Sequence, residues 1–380
     1  MATTVTGATF VDTLRSQRWR AFDRQLLLYV VLLVVFGAAM GFSADYTVES
    51  TPGALSQTVK TLIWAAIGLT LFFVAASIDY HWLQMLAAPI YLAVLGLLAL
   101  TMLVGTNLFG AQMSITVAGL DFQFSEVSKV LMIVVLASFL AARGERIGRL
   151  STIVGAGLLM AIPALLVFRQ PDLGTALVFV AILVGMLFIA GASIGWLAIL
   201  SGIVVAMAPL AIGALQDYQR QRLFCFLDPQ TDPQGACYQL IQALNAVGSG
   251  GWFGQGLTAG RQNQLGYLPV QSTDFIFTVV AEELGFVGGI MLLGIFALLV
   301  WRVLAIGWSA RDRLGMMVAG GLASLLVFQV MVNIGMVTGV MPVTGVPLPF
   351  VTYGGSSMIS LLFGMGILQS VRMHAWKPTF

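Results

Sequence analysis

Apolar residues fall in long runs along nearly the whole chain. Ten of them, at about 25–43, 58–77, 82–104, 125–142, 150–168, 174–191, 196–214, 274–301, 315–339 and 356–371, are long enough to cross a hydrocarbon layer of roughly 30 Å as helices. The predicted fold is therefore all-α, a polytopic membrane protein of about ten transmembrane helices. Polar positions concentrate in one large loop between the seventh and eighth helices, residues 215–273. Within it, FCFLDPQTDPQGACY carries turn signals at Asp228-Pro229 and Asp232-Pro233. YQLIQALNAVGSGG then reads as a short amphipathic helix on the membrane surface, either a lid on the bundle or a substrate gate. A second polar loop, VMPVTGVPLPFVTYGGSS at 340–357, breaks helix with prolines and paired glycines. Such backbone at membrane depth is tolerated inside protein or along a cavity, so the loop is a re-entrant turn or a cavity wall.

Composition supports the membrane assignment: 59% of the 380 residues are hydrophobic and 9% are charged, which excludes an ordinary soluble domain. Net charge is only +2, and the basic residues are unevenly placed. Twelve of the 18 (Arg15, Arg18, Arg20, Arg24, Arg143, Arg146, Arg149, Arg302, Arg311, Arg313, Arg372 and Lys377) fall on one side of the predicted bundle. Lys and Arg enrich short cytoplasmic loops, so this side is cytoplasmic and, with an even span count, both termini are too. The organisation predicted is a tail at 1–20, a transmembrane domain at 21–372 with an extracytoplasmic loop at 215–273, and a tail at 373–380. The first apolar run is long and lacks a small-residue cleavage site, unlike a cleaved signal peptide. No nucleic-acid partner is indicated, and membrane lipid surrounds the spans.

Lys60, Lys129, Arg169, Arg220, Arg222 and Arg261 oppose the orientation bias. The two cysteines, Cys225 and Cys237, both lie in the large outer loop; they form a disulfide or remain two buried thiols. No Cys/His cluster suggests zinc, and His81 and His374 fall on the cytoplasmic side.

Charges inside hydrocarbon cost several kcal/mol, so those present face a partner or a wet cavity. Glu126 and Lys129 are three residues apart and can pair on one helical face. Asp172 can cap the helix that follows it or face a cavity. QSTDFIFTVVAEELG at 271–285 holds Asp274, Glu282 and Glu283. A cap explains the first, while the two glutamates, about 12 to 13 Å further along a helix, predict an acidic track descending into the bundle. Gln329 and Asn333 share a face of the ninth span, suited to interhelical hydrogen bonding.

Five segments in order, SEVSK (125–129), RQPDLGTA (169–176), GSGGWFGQGL (248–257), LPVQSTDFIFTVVAEELGF (268–286) and GVPLPFVTYGGSS (345–357), resemble the SEDS family over about residues 20–372. RQPDLGT and DPQTDPQGACYQ look more like its elongation branch than its division branch. The resemblance implies a peptidoglycan glycosyltransferase of the bacterial cytoplasmic membrane that polymerises lipid II on the outer face and works with a class B penicillin-binding protein. It implies Asp274 as the essential residue and gives weight to Glu126, Lys129 and Asp172. Glu282, Glu283, Asn333, Ser356 and Ser357 are expected as substrate-binding or structurally supporting residues. Departures stand at Met113, Ser114 and Phe124, where the family has Arg, Trp and Pro, and at Gln271 and Ser272, where it has Glu and His.

Sugar donors outside the cytoplasm must be carried by lipid, and a lipid diphosphate leaves without being protonated if cations offset its charge. One base is then sufficient, unlike glycoside hydrolysis. Asp274 is expected to be that base in an inverting displacement, with Arg220, Arg222, Arg261 and Lys129 as diphosphate clamps; a divalent cation, Mg or Mn, stays open. A lipid flippase or other transporter, and a non-catalytic scaffold, are the rival readings.

Overall fold

A computed structural model describes residues 19–45, 57–104, 106–108, 111–117, 120–264 and 274–375. Its helices are α1 (Arg24–Asp45), α2 (Gln57–Ser77), α3 (His81–Met85), α4 (Ala87–Val104), α5 (Phe124–Arg143), α6 (Leu150–Arg169), α7 (Leu173–Ile189), α8 (Ile194–Ala214), α9 (Asp217–Leu227), α10 (Tyr238–Ser249), α11 (Arg261–Gln264), α12 (Ile276–Trp308), α13 (Arg313–Val337) and α14 (Gly355–Ala375). Leaving aside the short α3, α9, α10 and α11, each long helix matches one predicted apolar run. The all-α class therefore holds among the described residues, and seven of these helices (α1, α2, α5, α6, α8, α12 and α13) are long and apolar enough to cross a membrane. The third run is shorter than expected, because Leu86 leaves helical geometry between α3 and α4.

Helices α5 and α13 form the centre of the bundle. Residues such as Met132, Ile133, Leu136, Leu322, Leu325 and Leu326 are essentially inaccessible there. Helix α14 packs on α2 and α5, α7 on α6 and α13, and α12 on α1 and α13. At the opposite extreme, α8 buries none of its residues and packs on α7 alone of the long helices with substantial contact. Its apolar side chains are consistent with a lipid-facing helix.

The end of the bundle rich in arginine is tied by charge. Arg302 grips Asp23 at 2.6 Å, and Tyr80 Oη donates to Asp312 at 2.9 Å. His81 Nε2 lies 2.6 Å from the same Asp312 carboxylate. The opposite end, here called the loop end, carries α9, α10 and α11.

Two features of the loop end were not anticipated. A small antiparallel sheet, β1 (Thr106–Leu108), β2 (Ala111–Val117) and β3 (Leu120–Phe122) in the order 1-2-3, connects α4 to α5. Met113 and Ser114 fall in β2, where only the backbone is described. The second feature concerns the eighth apolar run, which is not one continuous helix. Gly285 adopts φ 66° and ψ −163°, so a short helix up to Leu284 is broken from the span that begins at Phe286. This conformation belongs to glycine.

The break fits closely around the loop. Phe286 and Val287 amides donate to the Gly251 and Trp252 carbonyls at 2.9 and 3.0 Å, and a Cβ at Gly285 would meet the Gly254 nitrogen and Phe253 backbone. Gly285→Ala is thus expected to lose folded protein, from backbone strain of about 1–3 kcal/mol plus the clash. Yield of monodisperse protein in detergent measures this; a variant melting like the parent would contradict the assigned break.

Candidate active site at the loop end

Asp274 sits immediately before the broken helix, whose first residue is Ile276. Its carboxylate does not cap that helix, contrary to the ordinary explanation for its position. The backbone is held instead: Asn333 Nδ2 donates to Asp274 O at 2.9 Å and to Val346 O at 2.8 Å. One buried amide on α13 therefore fixes the base of the acidic segment to the 340–357 loop. A Cβ added at Gly345, where φ is 72°, would lie 3.3 Å from Asp274 Oδ2 and 3.9 Å from an Arg222 nitrogen. The proline-rich loop thus approaches the carboxylate and the guanidinium together.

Arg222 reaches this point through α9, which the turn signals alone did not predict as a helix. Tyr218 Oη and Gln219 Nε2 both donate to Pro171 O, at 3.0 and 2.9 Å, docking α9 onto the junction before Asp172. Arg222 lies one turn further along, over the Tyr218 ring. Cys225 near the end of α9 is disulfide-bonded to Cys237, just before α10, which resolves the two alternatives in favour of the bridge. The bridge closes a short loop and restrains α9 where Arg222 is displayed.

The other charged residues converge from the starts of α5 and α7. Lys129 Nζ donates to Glu126 Oε1 at 2.6 Å, and both side chains are buried. Glu126 Oε2 is buried with no hydrogen-bond partner among the described residues. Asp172 caps α7 through the Thr175 amide at 2.9 Å and also accepts from Gln123 Nε2 at 3.3 Å. Capping and a place in the polar cluster are therefore not alternatives for this residue. Gln123 N donates to Ser356 Oγ at 2.8 Å, joining the starts of α5 and α14. Ser357 is buried beside it on the same helix end.

Electrostatics couple these groups. Burial raises the Asp274 carboxyl to about 6, an increase that Arg222 opposes and Asp172 and Glu126 reinforce. Burial also raises Asp172 above the usual carboxylate range, opposed by the Thr175 hydrogen bonds and Lys129 and reinforced by Glu126. No described residue donates a hydrogen bond to the Asp274 carboxylate. It is a poorly solvated oxyanion beside a cation, suited to accepting a proton.

Several expected members lie elsewhere. Arg220 donates to the Ile212 and Gly213 carbonyls at the end of α8, at 3.1 and 2.5 Å, a helix-capping arrangement away from the cluster. Glu282 and Glu283 do not continue from Asp274 into the bundle. Glu282 accepts from the Gln262 amide at 2.7 Å, and Glu283 accepts from Ser43 Oγ at 2.6 Å, in the last turn of α1. The expected acidic track is corrected: the broken helix carries the pair to the rim formed by loop residues 250–262. Arg261 is exposed there, in the lining of a cavity with Gln262 and Glu282. Gln329 remains buried and without partners among the described residues. Gln271 and Ser272 lie outside the described residues. No group of three His, Cys, Asp or Glu side chains with metal-binding geometry occurs among the described residues.

The family model for FtsW, RodA and SpoVE, described as cell cycle protein, matches residues 24–377. The chain belongs to this family. Among relatives of this SEDS protein, peptidoglycan glycosyltransferase MrdB of Escherichia coli K12 is 38% identical over 353 residues, spanning 93% of this chain and 94% of its own. Stage V sporulation protein E of Bacillus subtilis strain 168 is 36% identical over 93% of this chain and 97% of its own. The crystal structure of the rod shape determining protein RodA of Thermus thermophilus superposes with a TM-score of 0.72 at 30% identity, covering 94% of this chain and 99% of that one. A chain from a structure described as the structural coordination of polymerization and crosslinking by a peptidoglycan synthase complex gives 0.77 at 31% identity, with the same coverage. The described residues of the SEDS motifs quoted above therefore sit on the family's fold.

The raised carboxyl has a sign that stability can report. Its folded value of about 6 exceeds the ordinary 3.8, so ionisation opposes folding, and this cost is absent below about pH 4 and complete above about 6. Asp274→Asn should be more stable than the parent at pH 7.5 by about 1–3 kcal/mol, and so melt higher, with the difference vanishing near pH 4. Thermal unfolding in detergent at the two pH values checks this; an equal or lower melting temperature at pH 7.5 would contradict it.

Proposed function

We propose that this protein polymerises lipid II into glycan strands at the loop end of the bundle, with Asp274 as general base. The activity is that of a peptidoglycan glycosyltransferase, in keeping with the E. coli relative of that name. The observation that carries the mechanism is the pairing of an undonated, partly buried Asp274 carboxylate, raised to about 6, with Arg222. Asp274 takes the proton from the acceptor sugar hydroxyl as its oxygen bonds to the donor's anomeric carbon. The bond from that carbon to the lipid diphosphate breaks, and the configuration inverts. Arg222 and the Lys129 end of the buried Lys129–Glu126 pair offset the charge growing on the departing diphosphate. No second carboxyl group is required as acid, which leaves Asp172 to organise α7 and keep the site polar.

In this reading the loop end faces the outside of the bacterial cytoplasmic membrane and both termini lie inside. The arginine-rich opposite end supports that orientation. A class B penicillin-binding protein is the proposed partner, supported by the structural neighbour drawn from a peptidoglycan synthase complex. The transporter alternative is disfavoured by placement: Asp274, Arg222, Lys129, Glu126 and Asp172 gather at one end of the bundle, whereas ion-coupled carriers hold their sites near the midplane. A scaffold would have no use for a desolvated carboxylate beside a cation.

Purified protein with its partner and lipid II should form strands that Asp274→Asn abolishes while the complex still assembles. For the parent, kcat/KM should rise with pH through a midpoint near 6 and then level, because only ionised Asp274 is active. Arg222→Gln should move that midpoint upward and lower the plateau by about 10²-fold or more, the scale of losing one charge-stabilising donor. Appreciable strand synthesis by Asp274→Asn would remove the base assignment.

A further inference from the structure

A polar cavity opens at the loop end, at the far end of the broken helix from Asp274. Its volume is about 630 Å³, and its lining includes Ser249, Gln255, Arg261, Gln262 and Glu282. Eight residues of largely helical rise place Glu282 about 12 Å along the chain axis from Asp274. The chemistry described above uses none of these side chains.

The cavity is built from oriented parts. Gln255 is fixed on three sides: its amide donates to Glu282 O at 3.0 Å, its Nε2 donates to Ser249 Oγ at 2.9 Å, and its Oε1 accepts from the Arg261 amide at 3.3 Å. Glu282, only 1% exposed, accepts from the Gln262 amide at 2.7 Å. Gly260 leaves room for that carboxylate, since a Cβ there would come within 2.9 Å of Glu282 Oε2. Two groups remain uncommitted. The exposed Arg261 guanidinium donates to no described residue, and Gln262 Oε1 is buried without a donor among the described residues.

These features select a ligand class. One carboxylate balances one guanidinium, so a diphosphate would meet no excess positive charge. A lining of amides, a hydroxyl and a charged pair, with only Ala259 apolar, does not suit an acyl chain. Neutral polyols with amide groups do suit it, because sugar hydroxyls donate and accept at once and an acetamido N–H can satisfy an orphan acceptor. We propose that this cavity is a saccharide-binding subsite that holds the N-acetylated glycan strand as it extends away from Asp274. The proposal rests on the glycosyltransferase reading and adds a place for sugars already joined. Retention there would favour repeated additions over release, since binding energy from remote sugars positions the reacting end.

The test uses full-length protein in detergent and a lipid-free tetrasaccharide of alternating N-acetylglucosamine and N-acetylmuramic acid, with binding followed by saturation-transfer NMR. The wild type should bind it, Asp274→Asn should bind within about threefold of wild type, and Arg261→Ala/Gln262→Ala should lose about tenfold or more in affinity. In lipid II assays the same double variant should make shorter strands. Arg261 is exposed and Gln262 half-buried, and an unchanged melting temperature verifies the fold. Absence of binding by the wild type, equal binding by the double variant, or loss of binding through Asp274→Asn would each overturn the proposal. Tetrasaccharide binding that depends on Arg261 and Gln262 in a protein unable to extend lipid II would support the subsite and remove the polymerase reading instead.

Discussion

The loop end depends on holding one carboxylate out of water beside one cation. Asp274 tolerates partial desolvation because Arg222 faces it and because its backbone is anchored by Asn333, which also binds the Val346 carbonyl. A charge in such surroundings costs several kcal/mol unless paired or hydrogen-bonded. The surrounding structure accordingly converges on this point: the proline-rich loop supplies a glycine where a side chain would crowd the carboxylate, and α9 supplies the guanidinium. The Cys225–Cys237 bridge then restrains α9, so a bond far from the acid still bears on its environment.

A second consequence is the division of labour among the acidic residues. Glu126 is paired with Lys129 and Asp172 caps the start of α7, whereas no described residue donates a hydrogen bond to the Asp274 carboxylate. Glu282 and Glu283 serve the rim, where Gly285 turns the chain into the following span. A backbone discontinuity at membrane depth is stable only when the freed groups find partners, which here are the Gly251 and Trp252 carbonyls.

Much of this was legible from residue order. Long apolar runs specify helices because the bilayer leaves the backbone few alternatives, and each run carries a long helix, the third and eighth interrupted at Leu86 and Gly285. The Glu126–Lys129 pair followed from helical spacing, and the capping role of Asp172 from its place before Leu173. The break at Gly285 was hidden because a glycine between apolar residues reads as helix interior; only its docking on residues 250–254 demands the unusual dihedrals. That concealed break is also why the two glutamates were expected inside the bundle. Arg220 and Arg222 were indistinguishable by composition. Their separation is a matter of helical phase on α9: one side chain reaches back to the end of α8, and its neighbour two residues on faces Asp274.

The most direct measurement is the titration of Asp274 itself, read as the carboxyl stretch in infrared difference spectra of the parent against Asp274→Asn. The account predicts a band that ionises with a midpoint near 6 and moves higher when Arg222 is replaced by Gln. A midpoint near the ordinary 3.8 that ignores the arginine would contradict it.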